Sequence, residues 1–210
     1  MKQEDIVIAG YGGFAREVQW LIERINLVEK RWNFKGFIDC DNSENPLIIG
    51  DDSYIIDTKD SLNVVIAVGS VSLRKKLYDK YKTNKNIKFP NLIDPSVIFS
   101  KDISMGEGNI ICAGNILTVN IQVGNCCIVN LHCTIGHDSC LEDFITINPN
   151  SNVSGNVSIH SCTEIGTGSK IIQGVSIGCN SILGAGAVVV RDVQENTTSV
   201  GVPAKVVKFH

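Results

Sequence analysis

A chain of 210 residues with 43% hydrophobic content suits one large or two small domains with a proper core, which excludes a disordered or fibrous protein. A net charge of -3 argues against nucleic acid as the main partner. No stretch approaches the ~18 uninterrupted apolar residues of a membrane span.

The charged opening "MKQED" has no apolar run behind it, so a cytoplasmic setting is expected. Eight cysteines without any C-x-x-C pair read as free thiols used as small apolar fillers, not as a disulfide framework or zinc knuckle.

Up to about residue 90 the chain alternates short apolar runs with helical segments. "DIVIAG" reads as a buried strand, and "YGGFAREVQWLIERIN" as a helix with Phe14, Val18, Leu21, Ile22 and Ile25 on one face. "FKGFID" and "NVVIAV" are further strands. "SVSLRKKLYDKYKTN" is a helix with Leu73, Leu77 and Tyr81 aligned and lysines outside. This order predicts a small parallel α/β sheet, Rossmann-like in layout, over residues 1–90. "GYGGFA" satisfies G-x-G-x-x-A between strand and helix, which marks a phosphate or nucleotide at the helix N-terminus without naming the nucleotide.

Residues 91–210 follow another rule. From Val123 to Val189 an aliphatic residue recurs every six positions, twelve times without a miss. Four positions later come small residues or valine, Cys127 and Cys133 among them, with Ile145 the exception. Val97, Ile103, Ile110 and Ile116 extend the series upstream with two single-residue insertions. A period of six fits a triangular coil of three short strands, stacked at about 4.8 Å.

With these repeats, "GYGGFAREV", "GFID", "AVGS", "FPNLIDPSV" and the closing "VGVPAKVVK", the chain resembles the hexapeptide-repeat acyltransferases. Those proteins fold as left-handed parallel β-helices and usually trimerise. The resemblance is to the branch holding bacterial nucleotide-sugar N-acetyltransferases and sialic-acid O-acetyltransferases. It implies an acetyl-CoA-dependent N-acetyltransferase acting on a UDP-linked 4-amino-4,6-dideoxy sugar in surface-glycan biosynthesis, with O-acetylation of a sialic acid as the alternative. It also implies a homotrimer with active sites between subunits. By resemblance, Gly12, Gly13, Phe14, Asp39, Gly69 and Ser70 line the UDP-sugar pocket, and Thr146, Thr167, Ala185 and Gly186 contact acetyl-CoA.

The histidines carry the chemistry. His132 and His137 form H-x4-H, similar to trimeric γ-type carbonic anhydrases. Those need a third, upstream histidine, and none precedes His132 here, so no metal is expected. In the N-acetyltransferases a histidine followed by an acidic residue is the general base, and His137–Asp138 matches that pair. An amine attacking a thioester must shed a proton, and imidazole is the side chain suited to take it near neutral pH. Asp138 is the matching carboxylate, but adjacent strand residues point opposite ways, which leaves Glu142, Asp143 and Glu164 open as partners. Family members often carry a second histidine or a serine-proline-glycine run in the next coil, where this chain has Thr146 and "NPN". From residue 95 to 190 the basic residues are Lys101 and Lys170, so coil faces poor in charge are expected to lie between subunits. Lys170, Arg191, Lys205 and Lys208 then stand out as cations for coenzyme A phosphates.

Overall fold

The structure is a computed structural model and describes residues 3–40 and 45–210. It divides into two units, Met1–Pro95 and Ser96–His210. No helix among the described residues is long and apolar enough to cross a membrane.

The first unit is a parallel sheet whose strands are β1 (Glu4–Ala9), β2 (Trp32–Ile38), β3 (Ile48–Gly50), β4 (Leu62–Ile66) and β5 (Ile87–Lys88), in the order β3-β2-β1-β4-β5. Ile6, Val7, Ile8 and Ala9 are buried on both faces of the central strand, the continuous apolar run that a covered parallel strand requires. Helix α1 (Gly13–Val28) buries Ala15, Val18, Leu21 and Ile22. Phe14 and Ile25, expected on that stripe, sit at its half-buried edges. A short helix α2 (Asp52–Ile56) starts at Asp51, whose carboxylate accepts from the Ser53 amide at 2.9 Å.

Helix α3 (Val71–Tyr81) departs from the sequence reading. Its buried residues are Arg74, Tyr78 and Tyr81, whereas Leu73 is exposed and Leu77 half-buried. The reason is polar. Arg74 is 1% exposed and its guanidinium donates to the carbonyls of Val68 at 2.9 Å and Gly69 at 3.1 Å. Tyr81 donates to Asp52. Burial, and then this bond, push the Tyr81 phenol far above its ordinary range, so it remains a donor. These anchors turn the leucines away from the core.

The second unit is a left-handed parallel β-helix of two-residue strands paired at an interval of 18 residues. Ile116–Thr134–Asn152–Lys170–Val188 mark one sheet, and Gln122–Cys140–Ser158–Ser176 a second. The third runs through Ile128, Thr146, Glu164 and Ile182 to Thr197–Val200, against which Lys205–Phe209 pairs antiparallel. All twelve positions of the series Val123 to Val189 are 4% exposed or less, and Ile145 is fully buried in its slot.

Upstream, pairing puts Met105 beside Val123, Leu117 beside Ile135 and Ile111 beside Val129, so the inward series is Met105, Ile111, Leu117. There are no insertions. The expected Ile110 and Ile116 are out of line because each stands one residue before its inward slot and keeps the same period, while Ile103 stands two residues before Met105, and Val97 two before Phe99, which pairs with Leu117. Buried Asn109 and Asn115 fill the small slots there. Asn115 accepts from the Cys133 amide at 2.7 Å and donates to the Cys112 carbonyl at 2.7 Å. All eight cysteines are free, and burial raises the Cys133 thiol to about 11.

The corners have a rule of their own. Every sixth residue from Gly108 to Gly186 adopts a left-handed backbone, with φ between 52° and 77°. Glycine and asparagine dominate these positions because they tolerate that region at least cost. Asn120, Asp138, Asn156 and Gly174 stack along one corner. Gly108, Cys126, Phe144, Cys162 and Asn180 form the second, and Gly114, His132, Asn150, Gly168 and Gly186 the third.

Candidate active site

Asp138 occupies a corner position with φ of 60°, and this left-handed turn brings its side chain alongside that of its neighbour. His137 Nδ1 lies 2.8 Å from Asp138 Oδ2. The other carboxylate oxygen accepts from Asn120 Nδ2 at 2.6 Å, one coil earlier. Asn120 first, and then His137, hold the Asp138 carboxyl below its ordinary value of 3.8. The carboxylate is therefore an acceptor, so in the neutral imidazole Nδ1 carries the hydrogen and Nε2 the lone pair. No described residue bonds Nε2, and the ring is half-exposed.

The other carboxylates left open by the sequence have different partners. Asp143 accepts from the Asn125 amide at 2.7 Å, and Glu164 from Asn148 at 3.0 Å. Glu142 accepts from His160 Nδ1 at 2.9 Å and from the Ser161 amide at 2.9 Å. His160 Nε2 meets Ser176 Oγ at 3.2 Å, so both of its nitrogens are occupied. His132 stands on the third corner over Gly114, and His210 Nε2 lies 3.1 Å from Thr198 Oγ1. Among the described residues no three His, Cys, Asp or Glu side chains gather in a metal-holding group.

The His160 hydrogen bond, ahead of the Ser161 donors, keeps the Glu142 carboxyl below its ordinary 4.5. A depressed acid contributes stability above its ordinary value and loses that contribution as pH falls through the folded value. Carbon-detected titration of Glu142 is therefore expected to give a midpoint below 4.5 that His160→Ala moves back up. A wild-type midpoint at or above 4.5 would contradict the bond.

In the first unit a cleft of about 230 Å³ lies at the C-terminal ends of β1, β2 and β4. Of the residues expected to bind the nucleotide, Asp39 lines it. Gly12 caps α1 without a side-chain bond, and Gly13 begins the helix, whose first turn has no acidic residue. Ser70 caps α3 through a 3.4 Å bond to the Leu73 amide, and Gly69 lies above Arg74. Phe14 is half-buried in the first turn of α1. The glycine that the backbone demands is Gly10, with φ of 102° and a built Cβ only 3.2 Å from the Ala67 carbonyl. Gly10, the first glycine of the "GYGGFA" motif, also lines the cleft; sequence reasoning missed Asp52, Lys76 and Lys80, which line it too, and misplaced Leu73 and Leu77, which face it. The signal was present: Leu73, Lys76, Leu77 and Lys80 follow the helical i, i+3, i+4, i+7 pattern.

The residues expected at acetyl-CoA divide. Thr167, Ala185 and Gly186 are exposed together at the third corner, where Gly186 donates to the Thr167 carbonyl at 2.8 Å. Thr146 is 5% exposed in its strand. Lys170 Nζ is tied to the preceding coil, 3.0 Å from the Asn150 carbonyl and 2.5 Å from Asn152 Oδ1. Arg191, Lys205 and Lys208 are exposed, the lysines on the strand Lys205–Phe209.

Comparison with known proteins agrees with this layout. Residues 5–81 match the PglD N-terminal domain. The solved structure of PerB from Caulobacter crescentus, in complex with CoA and GDP-perosamine, is 30% identical over 97% of each chain, with a TM-score of 0.89. This chain belongs to the hexapeptide-repeat acyltransferases. Within that family, the acetyltransferase domain of PglB from Neisseria gonorrhoeae, solved with acetyl coenzyme A, is 26% identical over 98% of this chain and 100% of its own, with a TM-score of 0.89. PerB forms with one histidine replaced by asparagine or alanine have been solved with the same two ligands. A putative acetyltransferase of Saccharomyces cerevisiae, YJL218W, is 52% identical over 44 residues, a stretch covering 21% of this chain and 22% of the yeast protein.

Proposed function

We propose that this chain is a sugar N-acetyltransferase that moves the acetyl group of acetyl-CoA onto the amine of a UDP-linked 4-amino-4,6-dideoxy sugar, for surface-glycan assembly. One observation carries the reading: an imidazole whose Nδ1 is fixed by a carboxylate and whose Nε2 is left open. The neutral amine attacks the thioester carbonyl, and Nε2 takes the proton that the nitrogen sheds. As the C–S bond breaks, the imidazolium returns that proton to the departing thiolate. Asp138 keeps the tautomer and stabilises the imidazolium.

The N-terminal cleft suits the nucleotide. Asp39 offers an acceptor to the ring N–H of a base and Lys76 offers charge to a diphosphate, while Lys80 is paired with Asp52, which also accepts from Tyr81. Thr167, Ala185 and Gly186 would carry the pantetheine arm on exposed stacked backbone. Nothing lies within 4 Å of where a Cβ on Gly186 or Gly168 would be. Arg191, Lys205 and Lys208 would meet its phosphates. That column and His137 lie at different corners of the prism. A site using both therefore draws its corners from two chains, which supports a homotrimer.

The test is thiol release from acetyl-CoA with UDP-4-amino-4,6-dideoxy sugars, a GDP-linked amino sugar and free sialic acid as acceptors. Turnover of the UDP-linked amine supports the proposal. Preference for the GDP sugar would reassign the nucleotide, and turnover of sialic acid alone would overturn N-acetylation. In the same assay Asp138→Asn is expected to lower kcat by about 10²-fold or more. Asparagine tolerates the left-handed corner but presents an amide to Nδ1, which favours the tautomer with Nε2 protonated. An unchanged kcat would remove Asp138 from the mechanism.

A further inference from the structure

We propose that Gly155 is a positioning residue, the seat on which the His137 imidazole rests. This rests on the reading of His137 as the base. The glycines of the β-helix are of several kinds, and Gly114 combines a φ of 76° with a Cβ position 2.6 Å from His132 Nδ1. Gly168, Gly174 and Gly186 have φ of 73°, 77° and 69° with open space where a side chain would stand, so they serve the backbone conformation. Gly155 is the reverse: its φ lies outside the left-handed region, yet it has no room for a side chain. A Cβ built there would stand 2.4 Å from His137 Nε2, 2.6 Å from Cε1 and 2.9 Å from Cδ2. All three nearest atoms belong to one ring.

The imidazole is thus laid over the backbone of the coil that follows, 18 residues on, with Asp138 at its Nδ1 edge. Gly155 is not at liberty to withdraw. The Asn156 amide donates to the His137 carbonyl at 2.6 Å, and the Gly174 amide donates to the Gly155 carbonyl at 3.1 Å, which ties the coils on both sides. A methyl group here meets the atom that must accept the substrate's proton. The ring can yield by swinging toward solvent, because it is half-exposed, and doing so draws Nδ1 away from Asp138. The fold should tolerate the change where the chemistry does not. A displacement of about 1 Å at a reacting group costs roughly 10²-fold in rate.

The experiment is Gly155→Ala in the full chain, with acetyl-CoA and the acceptor selected above. The expected result is kcat reduced by about 10²-fold with KM for acetyl-CoA and the thermal midpoint unchanged. The His137 ring ¹⁵N spectrum should lose its Nδ1–H tautomer pattern, and Gly155→Ala should add nothing to His137→Ala. If Gly155→Ala lowers the midpoint, the double variant with His137→Ala should recover it, because the clash is with the ring; failure to recover would place the strain in the backbone and overturn the seat. Wild-type kcat together with an intact tautomer pattern would overturn it as well. Full activity of His137→Ala would instead dismiss the base, and the ring spectrum of Gly155→Ala would still decide the seat.

Discussion

Replacing His137 by alanine is expected to lower kcat by about 10²–10⁴-fold while leaving the fold and the KM for acetyl-CoA unchanged. The size follows from what is lost: a positioned acceptor for the proton that the attacking amine sheds. The fold should survive because the ring is half-exposed and bonds to Asp138, which keeps its bond from Asn120. The equivalent change at His160 is expected to leave kcat within about twofold, since both of its nitrogens are engaged by Glu142 and Ser176 and no lone pair faces outward. Steady-state thiol release with both variants makes the check. Equal losses at the two positions would mean that the open Nε2 is not what matters.

The second large effect concerns the coil interior. Ile165 is fully buried and is paired in register with Ile147 before it and Leu183 after it. Ile165→Ala should cost about 2–5 kcal/mol, because neighbours pinned by backbone ladders on both sides cannot close the space. Thr167→Ala, exposed two residues away, should stay within about 0.5 kcal/mol. Urea midpoints at constant slope measure both. If the slope also falls for Ile165→Ala, the stacked coils have begun to unfold separately, as repeat arrays do when one interface weakens. A cost under about 1 kcal/mol for Ile165→Ala would mean that the prism is not packed as described.

The β-helix was legible because one residue type returns at one interval, and Val123 to Val189 are all buried as that interval requires. Legibility failed where two neighbouring residues were both aliphatic. At Ile110–Ile111 and Ile116–Leu117 the period is the same for either choice, and only strand pairing selects the second of each. Helix α3 misled for a related reason. Leu73 and Leu77 looked like core, but the buried face belongs to Arg74, Tyr78 and Tyr81, whose polar ends find partners at Val68 and Gly69, Lys82 and Asp52 respectively. Hydropathy cannot register such partners.

At the candidate site the sequence supplied the histidine and its acidic neighbour but not how they meet. The alternation of side chains along a strand argued against it, and the left-handed corner at Asp138 reverses that argument. The corner spacing was itself present in the sequence, since asparagine and glycine recur at Asn120, Asn150, Asn156, Gly168, Gly174, Asn180 and Gly186. Gly155 could not have been singled out among them, because its role is a vacancy that only stacked coils create.

The corner ladder bears on how such a protein can change. Stability is lodged in the interior slots, while the bends between strands accept cysteine, histidine, aspartate and phenylalanine at the same dihedral angle as asparagine. A new functional group can therefore enter at a bend without disturbing the interior. Its neighbours one storey up and down are already at fixed spacing, as Asn120 and Gly155 are for the Asp138–His137 pair. New chemistry on this scaffold needs one mutation at an edge and a second 18 residues away to accommodate it.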